Sequence, residues 1–356
     1  MSKYIVVETY KDKQNNAGTK APADCISIAK NNGYNVINIE KTSGNTLLSK
    51  IKRQLHFFNN WKHIYKTLKK HDILLFQYPF VNENLGRKHY FKKMKNKNII
   101  KIMIIHDLDI LRYYKTNSKD NKKLLFYIHN TDFIIAHNER MKNYLISLGK
   151  SPSSIDVLKV FDYLCDENIN TNISQASKND IIIAGNLDPI KVNYIKELDK
   201  LTNIKFNLYG INYQNSIKNS EYFGSFSPND LPNIITGGFG LVWDGLTINS
   251  CIGPFGNYLY YNNPHKASLY LASGIPVIIW NKAAMADFII KNKLGLAVDN
   301  LNDLPNILSQ LSNSEYNLLR QNVTNFAPKI RSGYFLTNSL NRIELNIQYL
   351  INTKQI

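Results

Sequence analysis

Cysteine is scarce in this 356-residue chain and is never closely paired: Cys25, Cys165 and Cys251 stand apart. That argues against a disulfide framework and against a zinc site, and it suits a reducing cytoplasm. Long apolar runs are also missing. The longest, Ile73–Phe76 and Ile275–Trp280, have the length of strands. A membrane-spanning helix needs roughly 18–20 such residues. The chain enters a strand pattern at Tyr4, so no secretory leader is expected. Eleven prolines and 17 glycines are too few for a collagenous or low-complexity protein. What is present is apolar and aromatic: 44% hydrophobic residues, with 22 Tyr and 16 Phe. That is enough for sizeable cores, and the length suits about two domains.

Acidic residues are few, and unevenly so. Residues 1–120 hold 23 Lys or Arg against 9 Asp or Glu, whereas the remaining 236 hold 21 against 18. A basic half attracts polyanions such as acidic lipid headgroups or nucleotide phosphates, unless the lysines merely solvate the surface. No helix-turn-helix, finger spacing or single-strand platform is recognisable, so nucleic acid is not an expected partner.

Short β-branched runs alternate with helical patterns. Strands are expected at Tyr4–Glu8, Val36–Ile39, Ile73–Gln77, Ile99–His106 and Phe133–Ala136. Helices are expected between them, and this alternation predicts a parallel, doubly wound sheet. The polar stretch 169–178 reads as a linker, after which the pattern restarts at Ile181. The chain therefore divides into a domain over 1–168, a second over 179–333, and a last helix from Tyr334. Ligands in such sheets bind beyond the carboxyl ends of the strands, so the cleft between the domains is the expected site. The spacing of Ile51, Leu55, Phe58, Trp61, Tyr65 and Leu68 predicts one apolar face on a helix over 50–70, ringed by lysines. Such a helix faces either the core or an acidic membrane.

Five places carry chemistry. The turn Asn16–Gly18–Thr19 follows the first strand, where a helix start offers backbone N–H groups to a phosphate or sugar. It lacks the dinucleotide and Walker spacings. Gly185 and Asn186 end the first strand of the second half, with Lys191 close behind, and Tyr209 ends the next strand where a base could pack. In the run from Tyr260 to Ser268, Asn263 precedes Pro264, which suits a first helical position and puts Lys266 in the first turn. A lysine there works against the helix dipole, which is reasonable when an anion binds beside it. His106 and Asp107 emerge at the carboxyl edge of a buried strand, where either could deprotonate a hydroxyl; His137 holds the equivalent place one strand on. Asp244 ends the strand from Phe239 and could bond sugar hydroxyls.

Together these pieces resemble a GT-B glycosyltransferase. They are most similar to the bacterial glucosyltransferases that extend O-linked GlcNAc on serine-rich-repeat adhesins, in a wider group with β-1,6-galactofuranosyltransferases. The resemblance rests on Asn16–Pro22, Phe76–Pro79, His106-Asp107 with Arg112, and Ala136–Asn138 with Met141. It continues in Gly185–Leu187, Leu241–Gly245 and Tyr261–Lys266 through Gly274–Val277. It implies two facing Rossmann-like domains, with the last helix crossing back to the first. It implies a UDP-sugar donor touching Gly185, Asn186, Tyr209 and Lys266, with Gly18 and Thr19 reaching it from the first domain. A GlcNAc-modified protein acceptor, a homo-oligomer up to a tetramer, and a metal-independent reaction are further implications. One departure is visible: the region Ala283–Asp287 has none of the spaced glutamates of many retaining GT-B enzymes, which favours inversion.

Overall fold

The computed structural model describes residues 1–9, 17–42, 44–80, 83–113, 118–165, 169, 176–214, 216–353 and 355. The first half builds six parallel strands: β1 (Lys3–Thr9), β2 (Asn35–Glu40), β3 (Ile73–Tyr78), β4 (Ile100–Ile105), β5 (Phe133–Ala136) and β6 (Ile155–Val157). Their spatial order is β2-β1-β3-β4-β5-β6. All six residues of β4 are buried, because helices cover both faces of a parallel sheet and no polar alternation is needed. The helices are α1 (Ala17–Asn31), α2 (Leu47–Thr67), α3 (Arg87–Asn96), α4 (Asp109–Tyr113), α5 (Ser118–His129) and α6 (Glu139–Ser147).

The second half repeats the plan with β7 (Asp180–Asn186), β8 (Lys205–Ile211), β9 (Ser220–Gly224), β10 (Phe239–Val242), β11 (Val277–Trp280) and β12 (Gly295–Val298), in the order β12-β11-β10-β7-β8-β9. Its helices are α7 (Pro189–Val192), α8 (Leu231–Ile234), α9 (Gly253–Tyr258), α10 (His265–Ala272), α11 (Ala286–Lys291), α12 (Leu304–Gln310), α13 (Asn313–Arg331) and α14 (Tyr334–Asn352). Most of the expected linker, 170–175, lies outside the described residues. The last helix does cross back. Glu344 of α14 meets the Lys3 ammonium at 2.9 Å and the Tyr34 hydroxyl at 2.8 Å. Arg342 forks onto Asp156 at 2.8 and 2.7 Å. The buried Asp162 carboxylate accepts the Phe335 and Leu336 N–H groups at the start of the helix.

Two expectations differ from the structure. The core side of α2 is Phe57, Trp61 and Ile64, followed by Leu68, while Ile51 and Leu55 are exposed. Among the described residues nothing covers the apolar side chains of the first two turns of α2. Residues 313–331 also form a long helix that the sequence pattern did not mark. Its apolar positions are diluted by Asn and Gln, and Pro328 sits inside it.

Candidate active site

Lys266 is placed by the start of α10. Pro264 is the cap of that helix, one position earlier than expected, so Lys266 falls second in the helix. Its ammonium donates to Asp244 Oδ1 at 2.8 Å and to the Trp243 carbonyl at 3.2 Å. Asp244 is buried just past β10, where the strand ends at the cleft. Lys191, in α7, approaches the other oxygen of Asp244 at 3.9 Å. Backbone bonds hold the two segments together: Gly245 N–H donates to the Lys191 carbonyl at 2.8 Å.

Across the cleft, Asp107 leaves β4 and pairs with Arg112 of α4. The guanidinium lies 4.9 Å from the Tyr258 ring, and the Tyr258 hydroxyl accepts the Leu108 N–H at 2.8 Å. The domains thus touch at this point. Arg112 Nε is buried with no partner among the described residues. Electrostatics ties the two sides into one cluster. Asp244 raises the pKa of the Lys191 ammonium, but burial and the charges of Lys266 and Arg112 outweigh it, and the net shift is downward. Lys191, Lys266 and Arg112 thus line this part of the cleft, with Lys191 and Lys266 sharing the single carboxylate of Asp244, an arrangement suited to an anion. Asp107 and Asp109 also have a spacing suited to a divalent ion. Both carboxylates reach the same Arg112, which disfavours a cation there. Among the described residues no group of three or more His, Cys, Asp or Glu could hold a metal ion.

Glycine opens the floor of the cleft. Gly185 sits at φ +131°, and a Cβ there would meet nothing within 4 Å, so its backbone is open to a ligand. Gly210 opposes it on β8, and a Cβ there would lie 1.7 Å from the Gly185 carbonyl oxygen. Asn186 accepts the Asp188 N–H at 3.1 Å and the Asn212 amide at 3.0 Å, shaping the turn that carries Lys191.

Other expected contacts sit differently. Tyr209 is buried, its ring stacked 4.9 Å from Phe223, so it is a wall of the domain rather than a surface for a base. Asn263 is committed to the seam between the domains. Its N–H donates to His137 Nδ1 at 3.0 Å, and its amide donates to the His137 and Lys159 carbonyls at 2.8 and 2.7 Å. His106 bonds Gln77 Oε1 through Nε2 at 2.6 Å and stacks on Phe161. Burial, with the neighbouring His137 and His265, pushes its pKa down to about 3. With Nε2 committed to Gln77 and the ring packed on Phe161, His106 is poorly placed to take a proton from an acceptor, and the part-exposed Asp107 is the better placed of the pair. Thr19 is exposed near the start of α1, where Gly18 contributes backbone, and Asn16 lies outside the described residues. Sequence reasoning did not single out Arg112, Tyr258 or His265 as site residues. Arg112 stands five residues after Asp107 and was the nearest to a signal, whereas the roles of the other two depend on contacts between the domains.

This arrangement, a cationic cluster between two facing Rossmann-like sheets, can be compared with known proteins. The Glucosyltransferase 3-like N-terminal domain profile matches residues 3–157, and the C-terminal domain profile matches residues 181–343. The chain belongs to the glucosyltransferase 3-like family. It is a GT-B glycosyltransferase, of the hexosyltransferase class. It is 32% identical over 332 residues to the β-1,6-galactofuranosyltransferase WbbI of Escherichia coli, covering 92% of this chain and 94% of WbbI. It is 27% identical over 269 residues to glucosyltransferase 3 of Streptococcus gordonii, covering 74% and 76%. Among solved structures, Anabaena HepE in complex with UDP and glucose superposes with a TM-score of 0.59 over 97% of this chain and 99% of HepE, at 9% identity. That last likeness is one of fold.

Proposed function

We propose that this glycosyltransferase moves a hexosyl group from a UDP-hexose to a hydroxyl of a saccharide acceptor, with inversion and without a metal ion. The observation that carries the reading is the meeting of Lys191, Lys266 and Arg112 at the cleft, close enough that the charges of Lys266 and Arg112 help to lower the pKa of the Lys191 ammonium. The diphosphate lies against those cations and the open backbone at Gly185. The acceptor oxygen attacks the anomeric carbon, and its proton passes to the Asp107 carboxylate. The bond between that carbon and the phosphate oxygen breaks, and UDP leaves. Lys266, Lys191 and Arg112 stabilise the charge that grows on it.

Two donor–acceptor pairs fit this chemistry. One is glucose passed to O-linked GlcNAc on a serine-rich-repeat adhesin, the pair implied by the sequence motifs. The other is galactofuranose passed to a surface or lipid-linked glycan. It is favoured by the higher identity and coverage of the galactofuranosyltransferase relative. UDP release from UDP-glucose and UDP-galactofuranose, each with a GlcNAc-bearing peptide and with a glycan lacking it, tests both. Acceptor-dependent turnover of one donor selects its pair. Tight UDP binding with no turnover of any UDP-hexose on any acceptor would overturn the proposal and point to a non-catalytic sugar-nucleotide binder.

A further inference from the structure

The first nine residues of α2 expose Leu47, Leu48, Ile51 and Leu55, at 75, 71, 50 and 54% of their surface. Leu47, Ile51 and Leu55 recur every four residues, so they stand in one line along the helix, with Leu48 beside them. Leu85, 52% exposed, adjoins this ridge: its N–H donates to Gln54 Oε1 at 2.8 Å. None of these side chains anchors α2, which is held through Phe57, Trp61 and Ile64.

The surroundings of the ridge are cationic. α2 and α3 pack together, with Phe58 and Tyr65 of the one against Tyr90 of the other, each ring pair 5.6 Å apart. The two helices carry ten Lys or Arg and no Asp or Glu. Arg87 alone among the ten is buried, paired with Glu8. Along α2 the apolar line passes into Lys62 and Lys66, both exposed. An apolar ridge on two acid-free, lysine-rich helices, with the adjoining Glu83 paired to Lys123, fits a surface that is anionic at the level of its headgroups and apolar just beneath. A second copy fits poorly, since self-pairing would press two cationic faces together.

Position adds to this. α2 begins just past the carboxyl end of β2, and Leu85 follows β3, so the ridge lies at the edge of the sheet from which Asp107 emerges after β4. Among the described residues no helix is long and apolar enough to cross a membrane. We propose that the ridge at the start of α2, with the lysines of α2 and α3, seats the protein on an anionic lipid surface, with the acceptor side of the cleft turned toward it.

Flotation of the full chain tests this with vesicles of phosphatidylcholine alone and of phosphatidylcholine with phosphatidylglycerol. The chain is expected to float with the anionic vesicles only, and to be released as salt rises from about 0.1 M to about 1 M. Ile51→Glu with Leu55→Glu should weaken flotation at least tenfold at unchanged thermal stability, because both side chains are exposed. Lys62→Glu with Lys66→Glu should do the same through charge alone. No flotation at low salt, or flotation indifferent to the Ile51 and Leu55 changes, overturns the proposal. So does light scattering that finds an oligomer which those changes dissociate, since the ridge would then face a second copy. The readout needs no turnover, so its failure leaves the donor assignment untouched, and the reverse holds as well.

Discussion

Lys266 is held in a place where an ammonium is disfavoured, within the first turn of a helix whose exposed N–H groups already carry positive charge. Asp244 offsets part of that cost, and a diphosphate would offset the rest. Lys266→Ala is therefore expected to lower kcat/KM about 100-fold, the scale of losing one charge-stabilising donor. Lys191 remains beside Asp244 to keep that carboxylate paired, so the circular dichroism spectrum should not change. UDP-release kinetics check this, and an unchanged kcat/KM would remove Lys266 from the site. At the other wall, Asp107→Asn keeps the shape and removes the proton acceptor, and should cost about 100-fold or more in kcat. His106→Gln should cost far less, because its ring acts by packing on Phe161 and bonding Gln77. The reverse order would make the imidazole the base. Lys266, Lys191, Asp244 and Asp107 were legible in the sequence because charged side chains at strand ends and helix starts are conspicuous. Tyr209 and Asn263 were not. In a sheet covered on both faces, a strand-end residue turns to the cleft or to the core with no mark in the sequence.

At the scale of elements, the contact between β7 and β8 sets how closely a ligand can approach. Gly210→Ala would drive a Cβ into the Gly185 carbonyl, a backbone atom that cannot step aside. It should destabilise the second domain by about 3 kcal/mol, as overpacking of a tight contact does. Gly185→Ala meets no atom and carries only the strain of its positive φ, roughly 1–2 kcal/mol. It should nevertheless weaken UDP binding, because the methyl group would stand where the diphosphate approaches. Urea unfolding with UDP titration separates the two. A Gly185→Ala protein that binds UDP normally would move the diphosphate elsewhere. Most strands could be read from the sequence, since β3, β4, β7 and β11 are nearly unbroken apolar runs, and all but β4 end at Gly, Pro or Asn. The two misreadings have one physical origin, namely that periodicity reports an apolar line but not what lies against it. On α2 it extended the line into turns whose apolar residues stay exposed. On α13, which packs against α10 and α14, a few well-placed residues such as Tyr316, Val323, Ala327 and Ile330 suffice, and no strong pattern was required.

At the scale of the molecule, the seam between the domains is built on an uncharged histidine. His137 Nδ1 accepts the Asn263 N–H, while Nε2 lies 3.0 Å from the Ile105 carbonyl, so only the neutral ring with its proton on Nε2 satisfies both. Burial, with the Arg112 charge nearby, holds its pKa down at about 4 despite the bond to Ile105. A free imidazole titrates near 6.5. Between those values the unfolded chain takes up a proton that the native chain refuses. Stability is therefore intact above about pH 6.5 and falls as the pH drops toward 4. By pH 5 this one ring should cost about 2 kcal/mol. His106 and His265 act in the same direction. Asp162 opposes them, because burial raises its pKa to about 7 and the native state gains its proton first as the pH falls. The wild-type slope is thus a difference of terms, and His137→Gln isolates one of them by keeping an acceptor and a donor without a titrating ring. Urea unfolding at pH 7 and pH 5 should show the wild type losing about 2 kcal/mol more than the variant over that interval. Equal losses would mean that the seam tolerates a charged ring. Because Asn263 precedes α10 directly, a seam that opens in acid also loosens Lys266, and transferase activity should fall in the same pH range before the helical signal does.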